Sequence, residues 1–208
     1  MVLKNRTVQL WARRLHIYVS MALLLVVLFF SVTGITLNRP QLFERSEPSI
    51  EQFELVLPAS MFPSKEGRVD SNKDQLMDFL QAAGVAGTAS NLDVYTEYED
   101  NELVIGEVTL DYKAPGYNAA VFIDITTLTA EIETTDYGFI ALLNDLHKGR
   151  NSGEVWRWFI DITAVLMIFF VLTGVCLLVP KKKTFATSLK WTTLGSLISL
   201  VIYIVAVP

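Results

Sequence analysis

Cysteine and histidine are scarce in this 208-residue chain: one cysteine, Cys176, and two histidines, His16 and His147. A lone cysteine excludes an internal disulfide, and its place in an apolar run makes packing its expected role. Acidic residues are missing from both ends, since all 22 Asp and Glu fall between Glu44 and Asp161. There is no P-loop, no GxGxxG after a strand, no HExxH and no nucleophile elbow, so the enzyme classes built on those motifs have no support. An Asp-rich Thr-Gly-Ala-Thr segment of the kind that accepts covalent flavin is also lacking; Ala86-Gly87-Thr88-Ala89 is only a distant echo. Without a cofactor, nothing in the chain supports a hydrolase or a transferase.

Apolar sequence is abundant, at 51% of residues, and it is concentrated. Ile17–Leu37, Trp158–Val179 and roughly Leu189–Val207 are long and nearly free of charge. A hydrocarbon core of about 30 Å needs about 20 apolar residues at helical rise, so each run predicts a transmembrane helix. The expected layout is an N-terminal tail with the first span (1–38), a water-facing domain (39–157), the second span (158–179), a basic loop (180–188) and the third span (189–208). The first span exceeds a typical signal-peptide core, and TGITLNRP offers no small-x-small cleavage site, so the span is expected to be retained.

Charge predicts orientation. Lys4, Arg6, Arg13 and Arg14 precede the first span, and Lys181, Lys182, Lys183 and Lys190 follow the second. The positive-inside rule places both groups in the cytoplasm, with the central domain and the C-terminus on the periplasmic side of a bacterial inner membrane. That domain carries 21 acidic residues against nine basic ones, which argues against nucleic acid or anionic lipid as a partner.

Within the first span His16, Ser20, Val27, Ser31 and Gly34 share one small, polar helix face, the kind that permits close helix approach in lipid. In the central domain, Phe53–Leu57 reads as a short strand. Val69-Asp70-Ser71-Asn72 offers N-cap residues for a helix around Gln75–Leu80 that closes near Gly84. Alternation and β-branched or aromatic residues predict strands at Leu92–Tyr98, Glu102–Tyr112, Tyr117–Thr126 and Leu128–Thr134, with turns at Asp100-Asn101 and Pro115-Gly116. The expected domain is α+β, one helix on an antiparallel sheet. Tyr137–Leu146 predicts a short amphipathic helix, and Trp156 and Trp158 anchor the second span at the interface. Thr33-Gly34-Ile35-Thr36-Leu37 is echoed by Thr173-Gly174-Val175-Cys176-Leu177 at the opposite end of an opposed helix.

These residues resemble the PepSY-associated transmembrane helix family. Arg13-Arg14-Leu15-His16, opening a span that ends Thr33-Gly34, is similar to the family's R-x-H…TG first helix. Phe122-Ile123-Asp124-Ile125 followed by Thr129-Ala130-Glu131 resembles the strand–turn–strand of a PepSY module. Leu146-His147-Lys148-Gly149 ahead of Thr173-Gly174 resembles the L-H-x-G…TG second helix. The likeness covers roughly 11–180, and the third span matches no motif. It implies a PepSY-like domain outside the membrane. Larger members are similar to membrane reductases whose span histidines ligate b-type haem and pass electrons across the membrane, some of them to ferric siderophores. Those members carry further helices and histidines, whereas this chain has two histidines in all.

On that resemblance the expected haem-iron ligands are His16 and His147, since neutral imidazole is a good axial ligand. The predicted topology puts them roughly 30 Å apart, at opposite ends of the membrane, so one haem cannot join them within a chain. A C₂ homodimer pairing His16 with His16 and His147 with His147 would supply two sites, as would a second subunit. Asp161, a carboxylate inside an apolar run, is expected to be solvated, paired with Arg157 one turn earlier, or set to orient His147.

Two functions stay open. One is a b-haem membrane protein, a transmembrane reductase or its electron-transfer subunit, serving a periplasmic redox partner or iron complex. The other is a non-catalytic PepSY-type subunit that binds or scaffolds a partner, with its spans as anchor and its histidines at headgroups or helix ends. Substrate transport has little polar pathway to use.

Overall fold

A computed structural model describes residues 2–44, 47–62, 64–65, 68–69, 73–100 and 102–208. The chain divides into two compact units, Met1–Leu28 with Phe159–Pro208, and Phe29–Trp158. Two long helices, α1 (Arg6–Asn38) and α5 (Gly153–Leu178), contribute to both.

The first unit is helical: a 3-10 turn at Val2–Lys4, most of α1 and α5, and α6 (Lys182–Ala206). α1, α5 and α6 are each long and apolar enough to cross a membrane. Helices suit such a setting because they satisfy every backbone group within the segment. Gln9 ties α1 to α5 by donating to the Cys176 carbonyl at 2.9 Å, so the lone cysteine sits in a packing contact. The connection between α5 and α6 is shorter than the basic loop expected at 180–188. α6 begins at Lys182, and the later lysines lie on its first turns. Lysine is a good helix former whose long stem can carry its ammonium clear of apolar surroundings, so it need not break the helix.

The second unit contains the sheet. In chain order it holds α2 (Pro40–Phe43), β1 (Ser49–Val56), a 3-10 turn (Ala59–Met61), the small hairpin β2 (Ser64–Lys65) and β3 (Arg68–Val69), and α3 (Lys73–Ala82). Then come β4 (Thr88–Ala89), β5 (Asp93–Glu99), β6 (Glu102–Ala114), β7 (Tyr117–Asp124), β8 (Thr129–Asp136) and α4 (Phe139–Lys148). The antiparallel order is β1-β8-β7-β6-β4, with β5 also paired to β6.

Period-two burial along β6 and β7 sends Val108, Leu110, Tyr112, Val121 and Ile123 to one face. Leu76 and Leu80 of α3, both 0% exposed, join that core. This is the expected α+β arrangement of helix on antiparallel sheet. The strand read at Phe53–Leu57 is longer and shifted, running from Ser49 to Val56 and flanking β8 with Phe53 opposite Ile132. Val69, read as part of a helix start, belongs to β3, while Asp70-Ser71-Asn72 and Asn101 lie outside the described residues.

The β6–β7 turn seats tightly on α4. Gly116 has φ +66°, and a Cβ there would lie 2.6 Å from the Leu142 backbone nitrogen. Its own N–H donates to Asp145 Oδ2 at 2.9 Å. The turn therefore fixes the helix that carries His147.

Candidate functional site

Each histidine sits in its own unit, and each meets a Thr-Gly pair. In the first unit, the α1 face carrying His16 reaches α5. His16 Nδ1 lies 3.1 Å from the Phe170 carbonyl oxygen and 3.1 Å from Thr173 Oγ1. The ring stacks on Phe170, with centroids 4.5 Å apart and planes 9° from parallel. Its Cε1 passes over Gly174, where a Cβ would come within 3.2 Å.

In the second unit the same chemistry recurs, with α1 now supplying the threonine. His147 stands in the last turn of α4, and Gly149, in the left-handed conformation, caps that helix. Its Nδ1 is 2.6 Å from Thr33 Oγ1 on α1, and Thr33 is only 1% exposed. Phe30 meets the ring edge-on at 5.0 Å, and Gly34 faces Cε1 with room for a Cβ at 3.7 Å. One turn on, Thr36 donates to Asn144 Oδ1 at 2.6 Å, and Asn144 donates to Glu44 at 2.7 Å. Trp156 donates to the Leu146 carbonyl at 2.8 Å. Burial, and then the Lys148 ammonium, hold the His147 imidazole below its ordinary pKa, which favours the neutral ring.

The partners constrain where each ring's proton sits. A carbonyl can only accept, so the Phe170 contact calls for an N–H at His16 Nδ1. The threonine hydroxyls donate back along their own helices, Thr173 to Phe169 at 2.8 Å and Thr33 to Phe29 at 2.7 Å. With that proton committed, each Oγ1 offers the ring only lone pairs. Protonation at Nδ1 satisfies each contact made there and leaves Nε2 as the basic nitrogen. Neither Nε2 has a hydrogen-bond partner among the described residues.

That donor set fits an axial ligand of haem iron: a neutral imidazole, its Nδ1–H anchored and its Nε2 open. Each site offers one such nitrogen. Among the described residues no three His, Cys, Asp or Glu side chains converge as a metal-ion site.

The supporting pair read from sequence takes a different form. Arg157 pairs with Glu154, three residues before it, instead of with Asp161. Glu154 is also one turn away and lies in the exposed first turn of α5, where a carboxylate is favoured. Asp161 is exposed, and the group that holds His147 Nδ1 is Thr33, a hydroxyl and not a carboxylate. The sequence named Thr33 and Thr173 only as parts of Thr-Gly motifs and did not pair them with the histidines. The repeated Thr-Gly at opposed helix ends was their signal.

The sheet face away from α3 is open. A cleft of about 520 Å³ on it is bordered by Glu54, Asp111, Glu131 and Glu133 around Phe122. Glu54 and Glu131 are direct cross-strand partners, a placement that like charges disfavour.

Three long apolar helices with an antiparallel sheet domain define a multi-pass membrane protein. The chain belongs to the PepSY_TM-like family, whose model matches residues 10–208 and so takes in the third span as well. No curated protein and no solved structure matches it.

Proposed function

We propose that this protein is a haem-binding membrane subunit that carries electrons across the membrane, with His16 and His147 each supplying one axial imidazole. The observation that carries this reading is the pair of open Nε2 atoms on rings anchored at Nδ1. A bound b-type haem supplies a reversible one-electron iron couple. The chain's own residues position the ligands: Phe170 and Phe30 pack on the rings, and Gly174 admits the His16 ring close to a helix backbone. A second copy related by two-fold symmetry, or another subunit, would complete each site. Lysine and arginine placement favours a cytoplasmic N-terminus and a periplasmic sheet domain. The acidic open face then suits a basic redox protein or a cationic iron complex as the reaction partner.

A second reading has an observation of its own. The His–Thr contacts join helices without any cofactor, as they would in a non-catalytic PepSY-type subunit that scaffolds a partner. A reduced-minus-oxidised spectrum of detergent-purified protein made with ample haem, with a pyridine haemochrome assay, separates the two. Sharp b-type bands, with one class of haem lost in His16→Ala and the other in His147→Ala, support the electron carrier. Absence of haem, or haem that survives the double substitution, refutes the ligand assignment and favours the scaffold.

A further inference from the structure

We propose that Thr33 and Thr173 are positioning residues that hold His147 and His16 in the Nδ1–H tautomer, so that each ring presents Nε2 as a metal-binding lone pair. The choice of haem as what Nε2 binds rests on the function proposed above. The tautomer itself is a property of the chain without cofactor.

A neutral imidazole places its proton on either nitrogen according to its hydrogen bonds. Both threonines answer that choice in the same way. Each is followed by glycine, each commits its hydroxyl proton to a carbonyl one turn back, and each is left able only to accept from the ring. Beside Thr173, Gly174 keeps the helix surface low enough for the His16 ring to sit against it, whereas at Gly34 a Cβ would meet the His147 ring only at an ordinary 3.7 Å. The two sites differ in redundancy. His16 also has the Phe170 carbonyl at 3.1 Å, whereas Thr33 is the only hydrogen-bond partner of His147 Nδ1 among the described residues. Valine keeps the shape of threonine and lacks its acceptor, so Thr33→Val should release His147 fully and Thr173→Val should release His16 only in part.

The test is long-range ¹H–¹⁵N correlation spectroscopy of the ¹⁵N-labelled full chain in detergent, without haem, at a pH where imidazole is neutral. With two histidines in the protein there are two imidazole spin systems, which His16→Ala assigns. Both rings should show Nδ1–H. Thr33→Val should shift the His147 tautomer ratio toward Nε2–H by about fivefold, the change expected when one hydrogen bond is lost. His16 should stay as it was, and Thr33→Ser should restore His147. Thr173→Val should move His16 by less. Should Thr33→Val fail to fold, Thr33→Ala carries the same test.

Nε2–H rings in the wild type, or a His147 that keeps Nδ1–H in a folded Thr33→Val, would overturn the assignment. Haemochrome assays on matched haem-loaded samples keep the two ideas apart. Expected tautomers with no haem binding remove the haem reading and leave the positioning role. Haem binding with tautomers indifferent to Thr33 does the reverse.

Discussion

Replacing Gly116 with alanine should loosen the sheet domain from α4 and lower the stability of the domain sharply. Two effects add. An L-residue at φ +66° in the left-handed region loses about 1–2 kcal/mol relative to glycine. The new Cβ would also stand 2.6, 2.8 and 2.9 Å from the nitrogen, Cα and Cβ of Leu142, and two of those are backbone atoms that cannot swing aside. The turn must therefore lift, which stretches the 2.9 Å bond from the Gly116 N–H to the Asp145 carboxylate. Hydrogen bonds to charged groups contribute about 1.5–3 kcal/mol, so the total loss is about 2.5–5 kcal/mol. For a domain of this size that lowers the melting temperature by roughly 10–20 °C. Gly84 provides the control, since its φ is +101° and a Cβ there meets nothing within 4 Å. Gly84→Ala should show the backbone strain alone. Thermal unfolding of the full chain in detergent, followed through the β-sheet circular dichroism signal, compares them. If Gly116→Ala loses no more stability than Gly84→Ala, the close seating of the β6–β7 turn on α4 is refuted.

The two Thr-Gly pairs predict a contrast under one substitution. Gly34→Ala leaves its Cβ at an ordinary 3.7 Å from His147 Cε1 and should be neutral or stabilising by about 0.5–1 kcal/mol through helix propensity. Gly174→Ala places its Cβ 3.2 Å from a His16 ring already fixed by stacking and two hydrogen bonds, so it should displace that ring. Imidazole chemical shifts of the two variants check both; equal responses would refute the contrast. Asp124 supplies a pH dependence. Its carboxylate accepts from the Thr126 hydroxyl and from the Thr126 and Thr127 N–H groups, which hold its pKa below the usual value. A depressed folded-state pKa stabilises above the unfolded pKa, and that contribution fades as pH falls through the folded one, below about 4. Acid titration of domain stability in the wild type and in Asp124→Asn should show this component only in the former.

Strands β5 to β8 were legible because period-two burial leaves a strict imprint, and Val108, Leu110 and Tyr112 alternate with Thr109, Asp111 and Lys113 along β6. The pairing of β1 with β8 was not legible. The two strands lie more than 70 residues apart, and edge contacts such as Glu54 with Glu131 carry no local pattern. The short α5–α6 connection escaped because Lys181-Lys182-Lys183 read as a loop by charge, although lysine extends a helix as readily as it ends one. At the site, the histidines stood out by scarcity. Their threonine partners did not, because a helical threonine whose hydroxyl bonds back to its own helix is commonplace. Asp161 drew notice instead, since charge in an apolar run is conspicuous whereas a hydroxyl is not.

Joining helices does not by itself call for histidine. In lipid, serine, threonine and asparagine make interhelical hydrogen bonds with fewer polar atoms to satisfy. An imidazole anchored through Nδ1 brings a second nitrogen that the clasp does not use. This chain carries that surplus twice, on α1 and on α4, with a Thr-Gly pair beside each ring. A scaffold has no use for that nitrogen. A metal ligand needs the lone pair itself. The carrier and the scaffold therefore differ chiefly in what meets Nε2, more than in fold or in helix packing.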